Sequence, residues 1–313
     1  MRLQRRSARS PSSAAKSGAL ECSLSDESTA APWIDAFNQG MQIARYAANT
    51  DYIIEIRSAN GEINRFPALA AELVARKSDL LITSGTPQTL AAMKATKDIP
   101  IVFANVGDPI GVGIVTNLGR PAGNVTGFSN VSAALIVKRL ELVRELLPKP
   151  ARVGFLFDPN APNEQSDYKT LQMAAKKFGI RVIDAYAQEE AQIAAVFDGL
   201  VREKAQAVIV AAGRNTSRRA TIAEQATKRG LPTVFGNSES VEAGGLMSYG
   251  ADFSDQFRRA ASYVARIFKG TKPGDLPIQQ PTKFELVVNM KTSKALGIKI
   301  PQSILLQATK VIE

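Results

Sequence analysis

The polar residues best placed for chemistry in this chain sit where short apolar runs end. Thr83-Ser84-Gly85-Thr86-Pro87 closes one such run and opens a helical pattern. Pro87 fits a first helical turn, and Ser84 or Thr86 can cap it. Free backbone N–H groups at that point, with the helix dipole, favour an anion such as a carboxylate, although a plain helix cap explains the same residues. The Gly-Lys-Ser/Thr of a phosphate-gripping loop is absent. Asn105-Val106-Gly107-Asp108-Pro109 follows the next apolar run, and Asp108 can accept a hydrogen bond from an amine or start a turn before proline. Further along, Asp158-Pro159-Asn160 and Gly213-Arg214-Asn215 offer polar groups after two more runs, with turn chemistry again the competing reading for Asp158 and Asn160. Gly236-Asn237-Ser238 comes next, then Tyr249, whose ring and hydroxyl suit a ring or an aliphatic body, and Asp252, which caps a helix, borders a cleft, or does both.

Composition removes other chemistries. The 313 residues contain no histidine and one cysteine. Ser-His and Cys-His nucleophile pairs and His-ligated metal sites are therefore excluded, and Cys22 has no partner for an intramolecular disulfide or a thiolate zinc site. No spacing of lysines and carboxylates marks a general acid/base dyad. Polar loop ends without a reactive group fit binding rather than turnover, so no catalytic residue, metal or cofactor is expected.

The elements that must position these loops alternate regularly. Helical spacing of Ile34, Phe37, Met41 and Ala44 predicts a helix over 33–48, followed by a strand at 52–57, a helix at 67–77, a strand at 79–83, a helix at 87–96 and a strand at 101–104. After Gly123-Asn124-Val125-Thr126-Gly127 the rhythm repeats, with helices at 133–147, 163–178, 189–203 and 216–229 and strands at 152–157, 180–185, 206–211 and 232–235. Strands alternating with helices of about ten residues indicate parallel sheets covered on both faces. Hydrophobic content of 45% and charged content of 22% are ordinary for a soluble globular chain of two lobes, and no window is apolar enough to span a membrane.

The order Gly244–Asp252, a long amphipathic helix, Gln280–Asn289 and Ala295–Pro301 resembles the C-terminal part of a family of bacterial solute-binding proteins, the receptors of ABC importers. Ala68–Lys77, Ile99–Asn117 and Pro121–Gly127 extend the resemblance to roughly residues 33–313. It implies an α/β fold of two Rossmann-like lobes, the type I periplasmic-binding-protein fold. The lobes would be 18–127 plus 252–281 and 128–251 plus 282–313, hinged by crossovers near 127–130, 248–252 and 280–284. It also implies a small amphiphilic ligand such as an amino acid, a permease partner, a periplasmic location, and a monomer that binds no nucleic acid. The Asn105–Pro109 loop would face the cleft. A ligand carboxylate would meet Ser84, Gly85 and Thr86, an amine Asp108 or Asp252, and a ring Tyr249 or Phe128. In an open parallel sheet, ligands approach the carboxyl ends of strands, which is where Asn105, Asp158, Asn160, Gly213 and Asn237 also fall.

The N-terminal segment departs from the family pattern. Residues 1–17 are rich in Arg, Ser and Ala without periodicity, which reads as a disordered tail, and the apolar stretch of about 7–15 residues that an export signal needs is missing. Arg2, Arg5, Arg6, Arg9 and Lys16 supply half of the net charge of +10 before the first acid, Glu21. Such a run is ordinarily a solvated tail rather than a nucleic-acid site. Gly18–Ser25 takes the place of the family's first central strand with poor strand character, so a weakened first lobe is expected. Two other classes remain on fold grounds. A cytosolic ligand-sensing domain of the lactose-repressor type is one, lacking the roughly fifty-residue DNA-binding part. A doubly wound enzyme is the other, disfavoured by the missing histidine and glycine fingerprint.

Overall fold

A computed structural model describes residues 16–21, 27–60 and 62–313. Cys22 and residues 1–15 lie outside the described residues. The first half of the chain runs β1 (Lys16–Glu21), α1 (Glu27–Ile43), β2 (Tyr52–Arg57), α2 (Phe66–Ala75), β3 (Leu80–Thr83), α3 (Thr86–Ala95), β4 (Ile101–Val106) and β5 (Val125–Ser129). Next come α4 (Ser132–Leu146), β6 (Arg152–Leu156), α5 (Pro162–Lys177), β7 (Arg181–Ala185), α6 (Ile193–Arg202) and β8 (Ala207–Val210). They are followed by α7 (Arg214–Ser217), α8 (Arg219–Lys228), β9 (Thr233–Phe235), α9 (Glu239–Glu242) and β10 (Met247–Ala251). The chain closes with α10 (Phe253–Phe268), β11 (Phe284–Asn289), α11 (Met290–Leu296), α12 (Gln302–Gln307) and β12 (Lys310–Ile312).

Among the described residues the strands form two sheets. One is ordered β2-β1-β3-β4-β5 and the other β12-β11-β10-β9-β8-β6-β7. All neighbours are parallel except β10 and β11. Alternate residues of the strands feed different cores. In the first lobe Leu80, Ile82, Val102 and Ala104 pack under α1 and α10, whereas Leu81, Ile101 and Phe103 pack on the opposite face with Leu73 and Ala92. The second lobe repeats the arrangement, with Val153, Phe155 and Ile209 on one face and Leu156, Val208 and Val210 on the other. Burial on both faces explains why these strands read as continuous apolar runs.

The N-terminal strand corrects the expectation for residues 18–25. Lys16–Glu21 forms a full strand in the middle of the first sheet, pairing β2 along Lys16–Glu21 and β3 along Gly18–Glu21. Lys16 and Ser17, expected in the tail, belong to it. Two neighbours supply the ladder that the residue types alone do not encode. Helix α1 also starts earlier than its apolar spacing indicated, at Glu27, with Pro32 inside it.

Helix α10 returns to the first lobe and packs on α1. A Cβ on Gly40 would lie 2.3 Å from the Arg258 carbonyl oxygen and 2.7 Å from Cβ of Ala261, so only glycine allows this approach. The chain passes between lobes three times, at 129–132, 251–253 and 279–284, and these passages are stitched together. Ser129 N–H donates to the Gln279 carbonyl at 2.8 Å, Gln279 N–H to Gly127 at 3.0 Å, and the Gln256 side-chain amide to the Ser129 carbonyl at 2.9 Å. Strand β5 continues in the first sheet through Ser129, so Phe128 belongs to that lobe.

Candidate functional site

Between the two sheets, at the carboxyl ends of β3, β4, β6 and β8, lies a cavity of about 630 Å³, part of it open to solvent. The first lobe contributes Trp33, Ser84, Gly85, Thr86, Gln88 and Asn105, together with Asn130 just past β5 and Phe253 and Phe257 of α10. The second lobe contributes Asn163, Glu164, Gly213 and Thr216.

One wall is aromatic. Trp33 stacks on Phe257 with ring centroids 5.8 Å apart and meets Phe253 edge-on at 5.7 Å. The rest is polar and short of partners. Ser84 Oγ, Thr86 Oγ1, Gln88 Oε1, Asn105 Oδ1, Asn130 Oδ1 and Asn163 Oδ1 are all buried without a hydrogen bond among the described residues. A buried polar atom left unpaired costs about 1–3 kcal/mol, so six of them facing one cavity mark a surface shaped for something that pairs with them.

Local sequence explains the geometry of the β3–α3 loop. Thr89 ties it down, its N–H donating to the Gly85 carbonyl at 3.1 Å and its hydroxyl to the same oxygen at 2.7 Å. No side chain caps α3, whose N-cap is Gly85. Neither Ser84 nor Thr86 is spent as a cap. The positive end of a ten-residue helix therefore faces the cavity with its hydroxyls free.

Behind Asn130, Asn163 and Glu164 a second, smaller chamber of about 410 Å³ is lined by Ser132, Arg139 and Asp167. Ser132 Oγ donates to Asp167 Oδ1 at 2.8 Å, and Arg139 Nε donates to the Tyr249 carbonyl at 2.8 Å. Burial raises the Asp167 carboxyl to about 6, opposed by the Ser132 hydrogen bond and the Arg139 charge. Burial also lowers the Arg139 guanidinium to about 10. Glu164 is pushed well above the usual carboxylate range by burial, against a hydrogen bond from the Asp158 N–H at 2.7 Å.

Of the residues singled out from sequence, Ser84, Gly85, Thr86, Asn105 and Gly213 line the main cavity. The others do not. Asp108 turns away into an open hollow beside Pro109 and Ile110, and its carboxylate accepts the Gly111 N–H at 2.9 Å, the turn chemistry of Asp before proline. Phe128 is 1% exposed in the first-lobe core, its ring 4.9 Å from Tyr263. Asp158 is buried in an ion pair with Arg214, Oδ2 to Nε 3.1 Å. Asn160 lines the open mouth of the cleft opposite Asn60 and Glu62. Asn237 accepts from the Ser240 hydroxyl at 2.8 Å and donates to Glu239 at 3.0 Å. Tyr249 stacks on Phe284 at 6.2 Å, and Asp252 caps α10 by accepting the Asp255 N–H at 2.8 Å. Short polar side chains at loop ends find local backbone partners first, and that removes them from the cavity.

Sequence reasoning missed Trp33, Phe253 and Phe257, whose helical spacing reads as core, and the amides Gln88, Asn130 and Asn163. Asn130 was detectable, because it directly follows β5 at the same sheet edge as Asn105.

Comparison with known proteins agrees with this architecture. A structure from Vibrio cholerae O1 biovar El Tor, described as a conserved domain protein, superposes with a TM-score of 0.89 at 27% identity, over 95% of this chain and 100% of that one. The ABC domain from Streptococcus pneumoniae in complex with L-Trp gives a TM-score of 0.83 at 27% identity over the same shares. A tyrosine-binding protein of Clostridioides difficile (strain R20291) is 27% identical over 263 residues, 84% of this chain and 76% of the relative. The family model of the ABC transporter substrate binding protein matches residues 25–312. A two-lobed fold of this topology and a match over nearly the whole chain converge: this chain belongs to the ABC transporter substrate-binding protein family, whose members bind substrates rather than convert them.

Proposed function

We propose that the two lobes close on an amino acid with a large, preferably aromatic, side chain and deliver it to the permease of an ABC importer. The observation that carries this reading is the pairing, in one interlobe cavity, of the Trp33–Phe253–Phe257 wall with six partnerless polar atoms. The ring packs on the aromatic wall, gaining area burial and edge or stacking contacts. The carboxylate sits at the uncapped N-terminus of α3, taking hydrogen bonds from Ser84 and Thr86. Asn105, Asn130 and Asn163 complete the polar shell from both lobes. The relatives support the ligand class, one being a tyrosine-binding protein and another holding L-Trp.

Closure takes place about the three stitched passages at 129–132, 251–253 and 279–284. Reversing an open-to-closed ratio of 99:1 requires about 5.5 kcal/mol of preference for the closed form. A charge-assisted anion contact, several neutral hydrogen bonds and a buried ring together reach that magnitude. Among the described residues no helix is long and apolar enough to cross a membrane. The protein acts as a monomer outside the cytoplasmic membrane, with the lobe tips as the permease-facing surface.

Thermal denaturation against the twenty amino acids and a set of sugars tests this. At 100 times its dissociation constant a ligand adds about 2.7 kcal/mol of stability. Shifts of several degrees with tyrosine, tryptophan or phenylalanine, and none with sugars, are expected. A shift with sugars alone contradicts the reading.

A further inference from the structure

Among the described residues, the main cavity has one ionisable lining residue, Glu164. It is 3% exposed, borders both the main cavity and the chamber behind it, and makes no ion pair among the described residues. One carboxylate oxygen, Oε2, takes the Asp158 N–H at 2.7 Å. Its neighbours are already committed. Asp158 is neutralised by Arg214 of α7, and Asp167, one turn further along α5, is held by the Ser132 hydroxyl of α4 and faces Arg139. Among the described residues, the first lobe lines the cavity opposite Glu164 with amides, hydroxyls and aromatic rings and no charge.

A buried carboxyl without a cation is costly unless something supplies one. We propose that Glu164 receives the ammonium group of the ligand and thereby makes the site select amino acids over carboxylic acids of the same shape. This rests on the amino-acid reading above and adds the residue that reads the amine. Carboxylate and ammonium then bind on opposite lobes, the former at the α3 N-terminus and the latter at the first turn of α5, so only a ligand carrying both groups bridges the closed cleft. In the empty protein, burial disfavours the ionised form of Glu164, with Asp158 and Asp167 adding to the effect and Arg214 opposing it. An arriving ammonium restores ionisation, so binding releases a proton at acid pH.

The test is calorimetric titration of wild-type protein and Glu164→Gln with L-tyrosine, L-tryptophan, L-phenylalanine and 3-(4-hydroxyphenyl)propanoate, the last being tyrosine without its amine. Glutamine keeps an oxygen for the Asp158 N–H, and a ligand-free melt checks its fold. Wild type is expected to bind L-tyrosine at least about thirtyfold more tightly than the amine-free acid, and Glu164→Gln to lose most of that gap while binding the acid no worse. Wild-type affinity for the amino acid is expected to rise with pH across the acid range, and more steeply than the variant's, in which Asp167 is the remaining raised carboxyl beside the site. Equal loss of both probes in Glu164→Gln, or an unchanged preference for the amine, overturns the assignment. If the variant does not fold, wild type alone decides, and a preference independent of pH with equal affinity for both tyrosine-shaped probes overturns it. Failure of wild type to bind any of the three aromatic amino acids overturns the ligand reading itself, and the role of Glu164 with it.

Discussion

The indole N–H of Trp33 donates a 2.9 Å hydrogen bond to Oε1 of Glu239, joining helix α1 of the first lobe to helix α9 of the second across the mouth of the cavity. Glu239 is held in place by the Asn237 amide at 3.0 Å. Trp33 thus touches the cavity with its ring and the opposite lobe with its edge, which ties filling of the cleft to closure.

Trp33→Phe keeps an aromatic surface for Phe253 and Phe257 but removes this bond. Losing a hydrogen bond to a charged acceptor costs about 1.5–3 kcal/mol, so ligand affinity should fall at least roughly tenfold, in a protein somewhat less stable because Trp33 is itself buried. Trp33 is also the only tryptophan. Its emission should therefore change when phenylalanine, which does not itself emit at tryptophan wavelengths, is added to wild type. An unchanged spectrum at saturation would separate Trp33 from the site.

Asp158 was a sequence candidate for ligand contact, and the fold uses it instead in a buried ion pair with Arg214, with side chains 2% and 13% exposed. Removing one member of such a pair costs about 3–5 kcal/mol because the other is left uncompensated. Asp158→Ala should lower the urea midpoint accordingly. Measured well below its melting temperature, ligand affinity should change by less than about threefold. A large affinity loss in a stable variant would return Asp158 to the binding surface.

Asp167 gives the ligand-free protein a pH dependence of defined sign. Its folded value of about 6 lies above the ordinary 3.8, because burial outweighs the Ser132 hydrogen bond and the Arg139 charge. The folded state therefore holds a proton that the unfolded chain has released, and stability falls as pH rises between those two values. The size is about 3 kcal/mol at most. Asp167→Asn, which still accepts from Ser132, should match wild type below this window and exceed it above. Chemical denaturation across the acid range checks this, and parallel curves for the two proteins would refute it.

Gly127, at the end of the first sheet, has φ +151°, and a Cβ there would lie 2.0 Å from the Phe103 carbonyl oxygen. That oxygen is on β4, an interior strand paired on both sides, and cannot move freely. Gly127→Ala should cost roughly 3–5 kcal/mol, visible as a lowered melting temperature. A melting temperature equal to wild type would mean that the β4–β5 approach is looser than described.

The alternation of strands and helices was legible because parallel strands buried on both faces carry uninterrupted apolar runs such as Ile101–Ala104 and Val208–Val210. Strand β1 was not. Gly18 and Glu21 give it no apolar pattern, and its existence depends on pairing with β2 and β3, which are distant in sequence. At the site, Ser84, Gly85, Thr86 and Gly213 were legible from their position after strands, and Asn105 from its place at the end of one. Trp33, Phe253 and Phe257 were not, because an amphipathic helix shows only that one face is apolar and cannot say that part of that face lines a cavity. Asp108, Asp252 and Asn237 show the converse. Their residue types suit a ligand, and a local hydrogen bond already satisfies each of them.

The central claim is that an anionic ligand group docks at the uncapped start of α3 in the closed cleft, and Ser84→Asp tests it most directly. An aspartate there, directly before the N-cap Gly85, would place a fixed carboxylate near the positive helix end and occupy the anion's place. Calorimetric titration with L-tyrosine, L-tryptophan and L-phenylalanine should show binding to wild type and at least a hundredfold weaker binding to Ser84→Asp, about 2.7 kcal/mol, in a protein that melts no lower. Equal affinity in the two proteins would show that the ligand does not bind at this helix start, and the account of the site would fail.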